Sequence, residues 1–272
     1  MVSKTFSGKY RISSICKILD VPRSTYYYHP VESVEDEDVI TAVKESFAES
    51  NGTYGTPRIQ ADIKDLGLKV SRLRISRIMA SHNLVSCYTK KKSPKFKRSV
   101  NNSAIPNLVA RQFKDRKEHE VIVSDTTYID INKRWHYLCP MLDLSRRAIV
   151  GSCVSSKRDT SIAVNSLYSV EFDLRKTNIF HTDRGSEFNS KSIDKILEGF
   201  EIKRSLSAKG TPIDNAVMES FFKTVKIEFI NRYKFDSIES FKSGWGRYVH
   251  WYNNKRRHSS LGYRPPIENL QK

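Results

Sequence analysis

The sequence predicts an α/β protein in which helices pack on a mixed β-sheet and small all-helical regions precede that sheet. Two observations support this prediction. After residue 120, β-branched strands and helical segments follow in the order β-β-β-α-β-α-β-α, which is typical of a sheet covered by helices. Before residue 89, apolar residues recur at helical spacing, and the strand pattern begins only after a basic stretch. A chain of 272 residues suggests about two domains.

The charge balance indicates an anionic partner. Lys and Arg number 47 against 30 Asp and Glu, a formal net charge of +17, which is typical of proteins that bind nucleic acid or an anionic surface. The four cysteines are widely spaced, which excludes a paired zinc knuckle and favours reduced thiols in a cytoplasm. No uncharged run approaches the roughly 18 residues of a membrane-spanning helix, and the first residues lack a signal-peptide core. We therefore expect a cytoplasmic protein with no membrane partner.

Two helical regions are predicted before the basic stretch. In residues 1–30, apolar residues at helical spacing end at a turn, and Pro22 can open a second helix. This pattern fits a helix-turn-helix and a generic helical hairpin equally well. In residues 40–88, a helix over 57–66 ends at Gly67, and Ser71 is a good N-cap for the next helix. That segment is interpreted as a helix-turn-helix DNA-binding domain.

Arginines on the second of these helices are candidate phosphate contacts. Arg72, Arg74 and Arg77 fall largely outside the apolar stripe, so they can meet DNA or form a solvated basic face. Residues 89–112 are strongly basic, and their polar centre has no clear period. We interpret 89–112 as a basic linker.

The segment after the linker has a regular order of elements. A three-strand meander is expected first, and alternating helices and strands follow it. The predicted strands cover 121–131, 135–144, 148–155, 178–181 and 201–205, and the predicted helices cover 160–171, 190–199 and 214–231.

Three acids in this segment are candidate metal ligands. Asp125 lies in an otherwise apolar strand, Asp183 follows a short strand, and Glu219 lies on the long helix. A carboxylate in an apolar strand is costly without a partner, and converging carboxylates repel unless cations lie between them. Oxygen ligands suit Mg²⁺ or Mn²⁺, and two such ions can drive in-line phosphoryl transfer. Lys223 and Lys226 share the helix face of Glu219, where they can hold DNA phosphates.

Five motifs in order carry a resemblance to a known family. They are YGTPRI at 54–59, SDTTYI at 124–129, HTDRGSEF at 181–188, DNAVMESFFKTVKIE at 214–228 and YNNKRRHSSLGYRPP at 252–266. Over nearly its whole length, the chain resembles the DDE transposases of two-frame bacterial insertion sequences, of the second-reading-frame (OrfB) type. These proteins belong to the superfamily of the retroviral integrase catalytic core.

The resemblance implies an RNase H-like core with a mixed five-stranded sheet and flanking helices. It implies an integrase catalytic domain over 113–272, with the core ending at about 230 and a basic aromatic tail following. Asp125, Asp183 and Glu219 match the metal-binding triad, which takes two Mg²⁺ or Mn²⁺ ions. Lys223 and Lys226 match the position of DNA-end contacts. In the tail, Arg256 and Arg257 are candidates for DNA backbone contact. Asp143 and Asp130 are expected to be structural.

The implied activity is metal-dependent cleavage of element ends and transfer of the 3′ hydroxyl into target DNA. The implied partners are double-stranded DNA, further protomers in a multimer on DNA, and the upstream-frame product as a fusion or a separate partner. Two other functions remain open. One is a catalytically inactive, transposon-derived DNA-binding regulator, which the presence of all three acids disfavours. The other is an RNase H-type nuclease, which the duplicated helix-turn-helix features disfavour.

Overall fold

The β-branched segments after residue 120 form one sheet of six β-strands. The computed structural model describes residues 11–27, 37–89, 105–209 and 211–267. The strands are β1 (Val121–Ser124), β2 (Thr127–Ile131), β3 (Arg134–Asp143), β4 (Ile149–Ser155), β5 (Ile179–Thr182) and β6 (Lys203–Leu206). In the described residues the helices are α1 (Ile12–Ile18), α2 (Arg23–Tyr26), α3 (Glu37–Glu49), α4 (Thr56–Asp65), α5 (Arg72–Ser81), α6 (Thr160–Tyr168), α7 (Lys191–Gly199), α8 (Ala216–Val225) and α9 (Ile238–Asn254).

The strand predicted over 121–131 is interrupted at one point. Both β1 and β2 pair antiparallel with β3, so together they fill one position of the sheet. At the interruption, Asp125 Oδ1 accepts a hydrogen bond of 2.7 Å from the backbone N–H of Thr126. A side chain that bonds a neighbouring backbone group competes with the strand ladder. The prediction of one continuous strand is therefore wrong at this site.

The pairing order confirms a mixed sheet with five strand positions. β1 is parallel to β5 and β5 is parallel to β6, whereas β3 is antiparallel to β4. Side chains of β1 alternate between the two faces. One face packs on α8 and α9, and the other packs on α6 and α7. The predicted α/β class with flanking helices is confirmed.

The last helix of the sheet layer was not predicted from the sequence. We expected a basic aromatic tail after about residue 230, but residues 238–254 form the seventeen-residue helix α9. Its aromatic side chains enter the core, and Trp245 Nε1 donates to Ser152 Oγ of β4 at 2.8 Å. Asn253 bonds both backbone groups of Ile149, at 2.9 and 2.8 Å. The tail prediction is wrong for this segment because its aromatic residues are core residues.

The long helix predicted over 214–231 has three parts. A 3₁₀ turn at Pro212–Asn215 leads into α8, and a π turn at Lys226–Ile230 follows α8. Short π segments inside helices are uncommon and often lie at functional positions. This one contains the buried Glu228.

The chain divides into two compact units, Met1–Thr41 and Ala42–Lys272. In the first unit, α1 and α2 are joined by a turn in which Asp20 has a φ of 50°. In the second unit, α4 and α5 have the predicted ends. Gly67 has a φ of +82°, and Ser71 Oγ accepts a 3.2 Å hydrogen bond from the Arg74 backbone N–H.

Part of the predicted linker is outside the described residues. Of the predicted basic linker over 89–112, residues 90–104 are not among those described. The four cysteines are all free thiols. In the described ranges, no helix has both the length and the apolar character needed to cross a membrane.

Candidate active site

Two of the predicted acids lie at one end of adjacent parallel strands. Asp125 is the first residue after β1, and Asp183 is the first residue after β5. The last residues of these strands, Ser124 and Thr182, are register partners. Neighbouring strands are about 5 Å apart, so the two aspartates begin side by side. The structure brings this pair together at one edge of the sheet.

The surroundings of the aspartate pair are tight and polar. Asp125 is 2% exposed, and Asp183 Oδ1 accepts a 2.9 Å hydrogen bond from the Gly185 backbone N–H. A Cβ atom at Gly185 would lie 2.9 Å from Asp183 Oδ1 and 2.7 Å from Oε2 of Glu187. A side chain at this position would therefore displace at least one of these carboxylates. Glu187 was not singled out from the sequence.

The histidine next to the pair is engaged by serines. His181 is buried, with Nδ1 2.8 Å from Ser205 Oγ and Nε2 3.3 Å from Ser207 Oγ. Burial lowers the pKa of His181 to about 4, so the ring is neutral at pH 7. Because both ring nitrogens are engaged by serines, the site offers carboxylate oxygens as metal ligands. Oxygen ligands fit Mg²⁺ or Mn²⁺ rather than zinc.

The third predicted acid is at the surface. Glu219 lies in the first turn of α8 and is exposed, as is Lys223 one turn later. Lys226 begins the π turn and is half-buried. Within the described ranges, no three Asp, Glu, His or Cys side chains are grouped closely enough to hold a metal ion. The structure therefore pairs two acids of the predicted triad and does not draw the third into a cluster with them.

Arg256, a predicted DNA contact, is buried. It is 2% exposed, with Nε donating to Glu228 Oε2 at 2.7 Å and Nη2 donating to Oε1 at 2.8 Å. A two-point ion pair of this kind is geometrically specific. The DNA-contact prediction for Arg256 does not fit this arrangement, because the guanidinium group is turned inward and satisfied by a carboxylate.

Glu228 connects distant parts of the second unit. Tyr88 and Tyr248 donate their hydroxyl groups to it at 2.6 and 3.0 Å, and Arg58 Nη1 lies 3.4 Å from Oε1. Burial raises the pKa of Glu228, but Arg256 and the other donors outweigh that effect and lower it below its ordinary value. This cluster escaped sequence analysis because its members are far apart in the chain.

Arg257 is also held by acids. Its Nε donates to Asp62 at 2.7 Å and its Nη2 to Asp65 at 2.5 Å, both on or next to α4. Its backbone N–H donates to the hydroxyl of Tyr54 at 2.6 Å. The side chain is 18% exposed. Its predicted DNA contact therefore does not fit this structure either, since the guanidinium attaches the C-terminal segment to α4.

The arginines of α5 lie closer to solvent. Arg72 and Arg77 are exposed, Arg74 is half-buried, and Arg72 Nε donates to Gln60 Oε1 at 3.0 Å. Leu73 between them is 63% exposed. This helix presents basic groups and the apolar side chain of Leu73 at the surface.

Asp143 has a structural role, as expected. It is fully buried, and Oδ1 accepts hydrogen bonds from the backbone and hydroxyl of Ser145, both at 2.8 Å. Oδ2 accepts from the backbone N–H of His119 at 2.9 Å. These bonds close the turn between β3 and β4. Asp130 is exposed on β2.

Comparison with known proteins places the chain in a family. Residues 115–212 and 200–266 match families described as integrase core domain, and residues 34–92 match one described as an HTH-like domain. The transposase for insertion sequence element IS904 of Lactococcus lactis subsp. lactis (strain IL1403) is 31% identical over 86% of this chain and 94% of its own length. Transposase InsF for insertion sequence IS3A of Escherichia coli (strain K12) is 27% identical over 94% of this chain and 92% of its own.

A solved structure of the HTLV-2 integrase catalytic core domain in complex with magnesium aligns at 14% identity and a TM-score of 0.39. The alignment covers 54% of this chain and 92% of that domain. By its sequence relatives and its two matched integrase-core segments, the chain belongs to the family of IS3-type insertion-sequence transposases, with an integrase core domain preceded by an HTH-like region.

Proposed function

We propose that the chain cleaves the ends of an insertion sequence and transfers the resulting 3′ hydroxyl into target DNA. Asp125, Asp183 and Glu219 are the proposed catalytic acids, and Mg²⁺ or Mn²⁺ is the proposed cofactor, as two ions. The observation that supports this most directly is the placement of Asp125 and Asp183 at the ends of β1 and β5. Carboxylates that start from adjacent parallel strands are well placed to share cations.

The three acids have different positions and roles in the proposed reaction. The chemistry that bound divalent cations supply is activation of the attacking oxygen and stabilisation of the leaving oxygen in an in-line displacement. Asp125 and Asp183 provide the oxygen ligands on a rigid sheet edge. Glu219, on the exposed first turn of α8, completes the set when α8 adjusts on DNA. No covalent link to the protein is needed.

DNA is held by groups outside the acids. Lys223, four residues after Glu219, is exposed on α8 and can contact the phosphate next to the reacting one. Lys226 follows on the π turn. Arg72 and Arg77 on α5 are the proposed contacts of the HTH-like region. Two element ends must be paired, so we propose that the chain acts as a multimer on DNA, with the upstream-frame product as a fusion or partner, at the bacterial nucleoid.

The test is a strand-cleavage and strand-transfer assay with the full chain. The substrate is a labelled duplex that carries the terminal inverted repeats flanking the gene, with Mg²⁺ or Mn²⁺ present. Asp125→Asn, Asp183→Asn and Glu219→Gln are each expected to abolish cleavage and joining while the variants still bind the duplex. Glu198→Gln on α7 is the matched control, since it removes one exposed carboxylate away from the sheet edge.

Two results would overturn the proposal. If Glu219→Gln joined ends at the wild-type rate, the assignment of the third acid would be wrong. If the wild-type chain bound end duplexes tightly and never nicked them with either metal, alone or with its upstream-frame partner, the regulator function would replace the transposase activity.

A further inference from the structure

A fourth acid near the aspartate pair has no role in the proposed triad. Glu187 lies in the 3₁₀ turn Ser186–Phe188 that follows Asp183, and it is 1% exposed. Burial of a carboxylate is costly unless hydrogen bonds or charges compensate it. The way in which Glu187 is compensated indicates its function.

One oxygen of Glu187 is held by an arginine. Oε1 accepts from Arg158 Nε at 3.2 Å and from Nη2 at 3.0 Å. Arg158 Nη1 donates to the Tyr128 hydroxyl at 2.8 Å, and its guanidinium carbon lies 5.6 Å from the centre of that ring. The guanidinium is therefore fixed from two sides, and it fixes Glu187 in turn.

The second oxygen of Glu187 is left for another ligand. Oε2 is buried and has no hydrogen-bond partner among the residues that the structure describes. It lies close to Gly185, as Asp183 Oδ1 does, and each oxygen is within 3 Å of the position that a Cβ would take there. A buried carboxylate oxygen without a hydrogen-bond partner costs free energy, so the position of Oε2 beside Asp183, a proposed cation ligand, needs an explanation.

The charges around Arg158 agree with this geometry. Partial burial lowers the pKa of Arg158, but Glu187, Tyr128 and Asp183 together raise it above its ordinary value. The arginine thus offsets part of the repulsion between the two carboxylates when no cation is present.

We propose that Glu187 is a positioning residue of the cation site, held by Arg158 so that its second carboxylate oxygen adds negative charge and a hydrogen-bond acceptor beside Asp183. This inference rests on the proposed function, because it assumes that Asp183 holds a cation. Groups that support metal ligands from outside typically change metal affinity or activity by about 10- to 100-fold when they are replaced.

The experiment measures Mn²⁺ binding to the full chain without DNA at pH 8, from the electron paramagnetic resonance signal of free Mn²⁺. Glu187→Gln keeps the shape of the side chain and is expected to weaken Mn²⁺ binding by about tenfold. Glu198→Gln removes the same charge from the exposed face of α7 and is expected to bind as the wild type does. Melting curves establish that each variant is folded.

Arg158→Gln separates the electrostatic role from a structural one. Arg158→Gln releases Glu187 but leaves its charge beside Asp183, so it is expected to weaken Mn²⁺ binding less than Glu187→Gln does, although it lowers the melting temperature more because a buried carboxylate loses its partner. If the ion pair only supports the fold, the loss of Mn²⁺ binding follows the loss of melting temperature, and Arg158→Gln is the weaker binder of the two. That second pattern would overturn the inference.

Asp183→Asn distinguishes failure of this inference from failure of the proposed function. If Asp183→Asn left Mn²⁺ binding unchanged, the cation site itself would be misplaced and the proposed function would fail with it. If Asp183→Asn abolished binding while Glu187→Gln kept wild-type affinity and wild-type strand transfer, only the role of Glu187 would be refuted.

Discussion

Replacement of Arg256 by alanine is expected to destabilise the fold rather than to remove a DNA contact. Arg256 is 2% exposed, and its guanidinium group makes two hydrogen bonds to Glu228, at 2.7 and 2.8 Å. Without it, Glu228 remains buried with hydrogen bonds from Tyr88 and Tyr248 and an ion pair with Arg58. The perturbation therefore leaves an under-compensated carboxylate inside the protein.

The expected size of the effect follows from that environment. Removal of one partner of a buried ion pair costs about 3–5 kcal/mol, and the remaining donors to Glu228 place this case near the lower end. In a unit of this size, 1 kcal/mol shifts the melting temperature by about 2–4 °C, so about 3 kcal/mol corresponds to a fall of about 6–12 °C. Arg247→Ala, an exposed change on α9, the helix that precedes Arg256, is expected to stay within about 0.5 kcal/mol of the wild type.

The assay pairs urea denaturation with DNA binding at several salt concentrations. A double variant, Glu228→Gln with Arg256→Met, is expected to regain part of the lost stability, because it removes both buried charges together. The reasoning would be refuted if Arg256→Ala unfolded at the wild-type urea concentration and instead reduced the salt dependence of DNA binding. That outcome would restore Arg256 as a phosphate contact.

Three further predictions concern the site and the charges. Gly185→Ala is expected to reduce strand transfer by about tenfold or more at nearly unchanged melting temperature, since ångström-scale displacement of a catalytic group can cost about 100-fold; wild-type rates would contradict it. Changing both Lys223 and Lys226 to Gln should reduce the slope of log affinity against log salt by about 2, and an unchanged slope would exclude them as contacts. Burial raises the pKa of Glu228, but Arg256 and the other donors lower it by more, so the net pKa is below its ordinary value. The ion pair therefore stabilises the fold above about pH 4.3, the pKa of an unfolded glutamate, and this stability is lost as the pH falls through the lowered pKa. Urea titrations between pH 5 and 3 should show this loss in the wild type and not in Glu228→Gln.

Local signals in the sequence predicted local structure well. Ser71 caps α5, and Gly67 ends the preceding helix in the left-handed region, because each requirement involves only a few neighbouring residues. The placement of Asp183 after a short strand followed from the strand boundary alone. Asp125 was predicted inside a strand, and the break after it was missed because a period-two pattern cannot show where a side chain competes with the ladder.

The missed features depend on contacts between distant segments. The aromatic residues of α9 recur at helical spacing in Phe241, Trp245, Tyr248 and Tyr252, so a signal was present in a segment interpreted as a basic tail. For Glu228 no local signal exists, because its partners come from positions 58, 88, 248 and 256. Glu187 was hidden for the same reason, since Arg158 precedes it by 29 residues.

The internal ion pairs also change where the DNA-binding charge must be sought. Taken together, these ion pairs join four arginines (Arg58, Arg158, Arg256 and Arg257) to four acids (Asp62, Asp65, Glu187 and Glu228), so they contribute nothing to the net charge of +17. The excess positive charge therefore lies on other side chains. Exposed groups such as Lys223 and Arg77, which are both proposed DNA contacts, carry part of it. Because phosphate neutralisation by cations sets the salt dependence of binding, that dependence should be governed by exposed groups, Lys255 and Arg264 of the C-terminal motif among them, and not by the paired Arg256 and Arg257. Arg58, Arg256 and Arg257, which look like DNA-binding charge in the sequence, instead join α4, the π turn and the C-terminal segment.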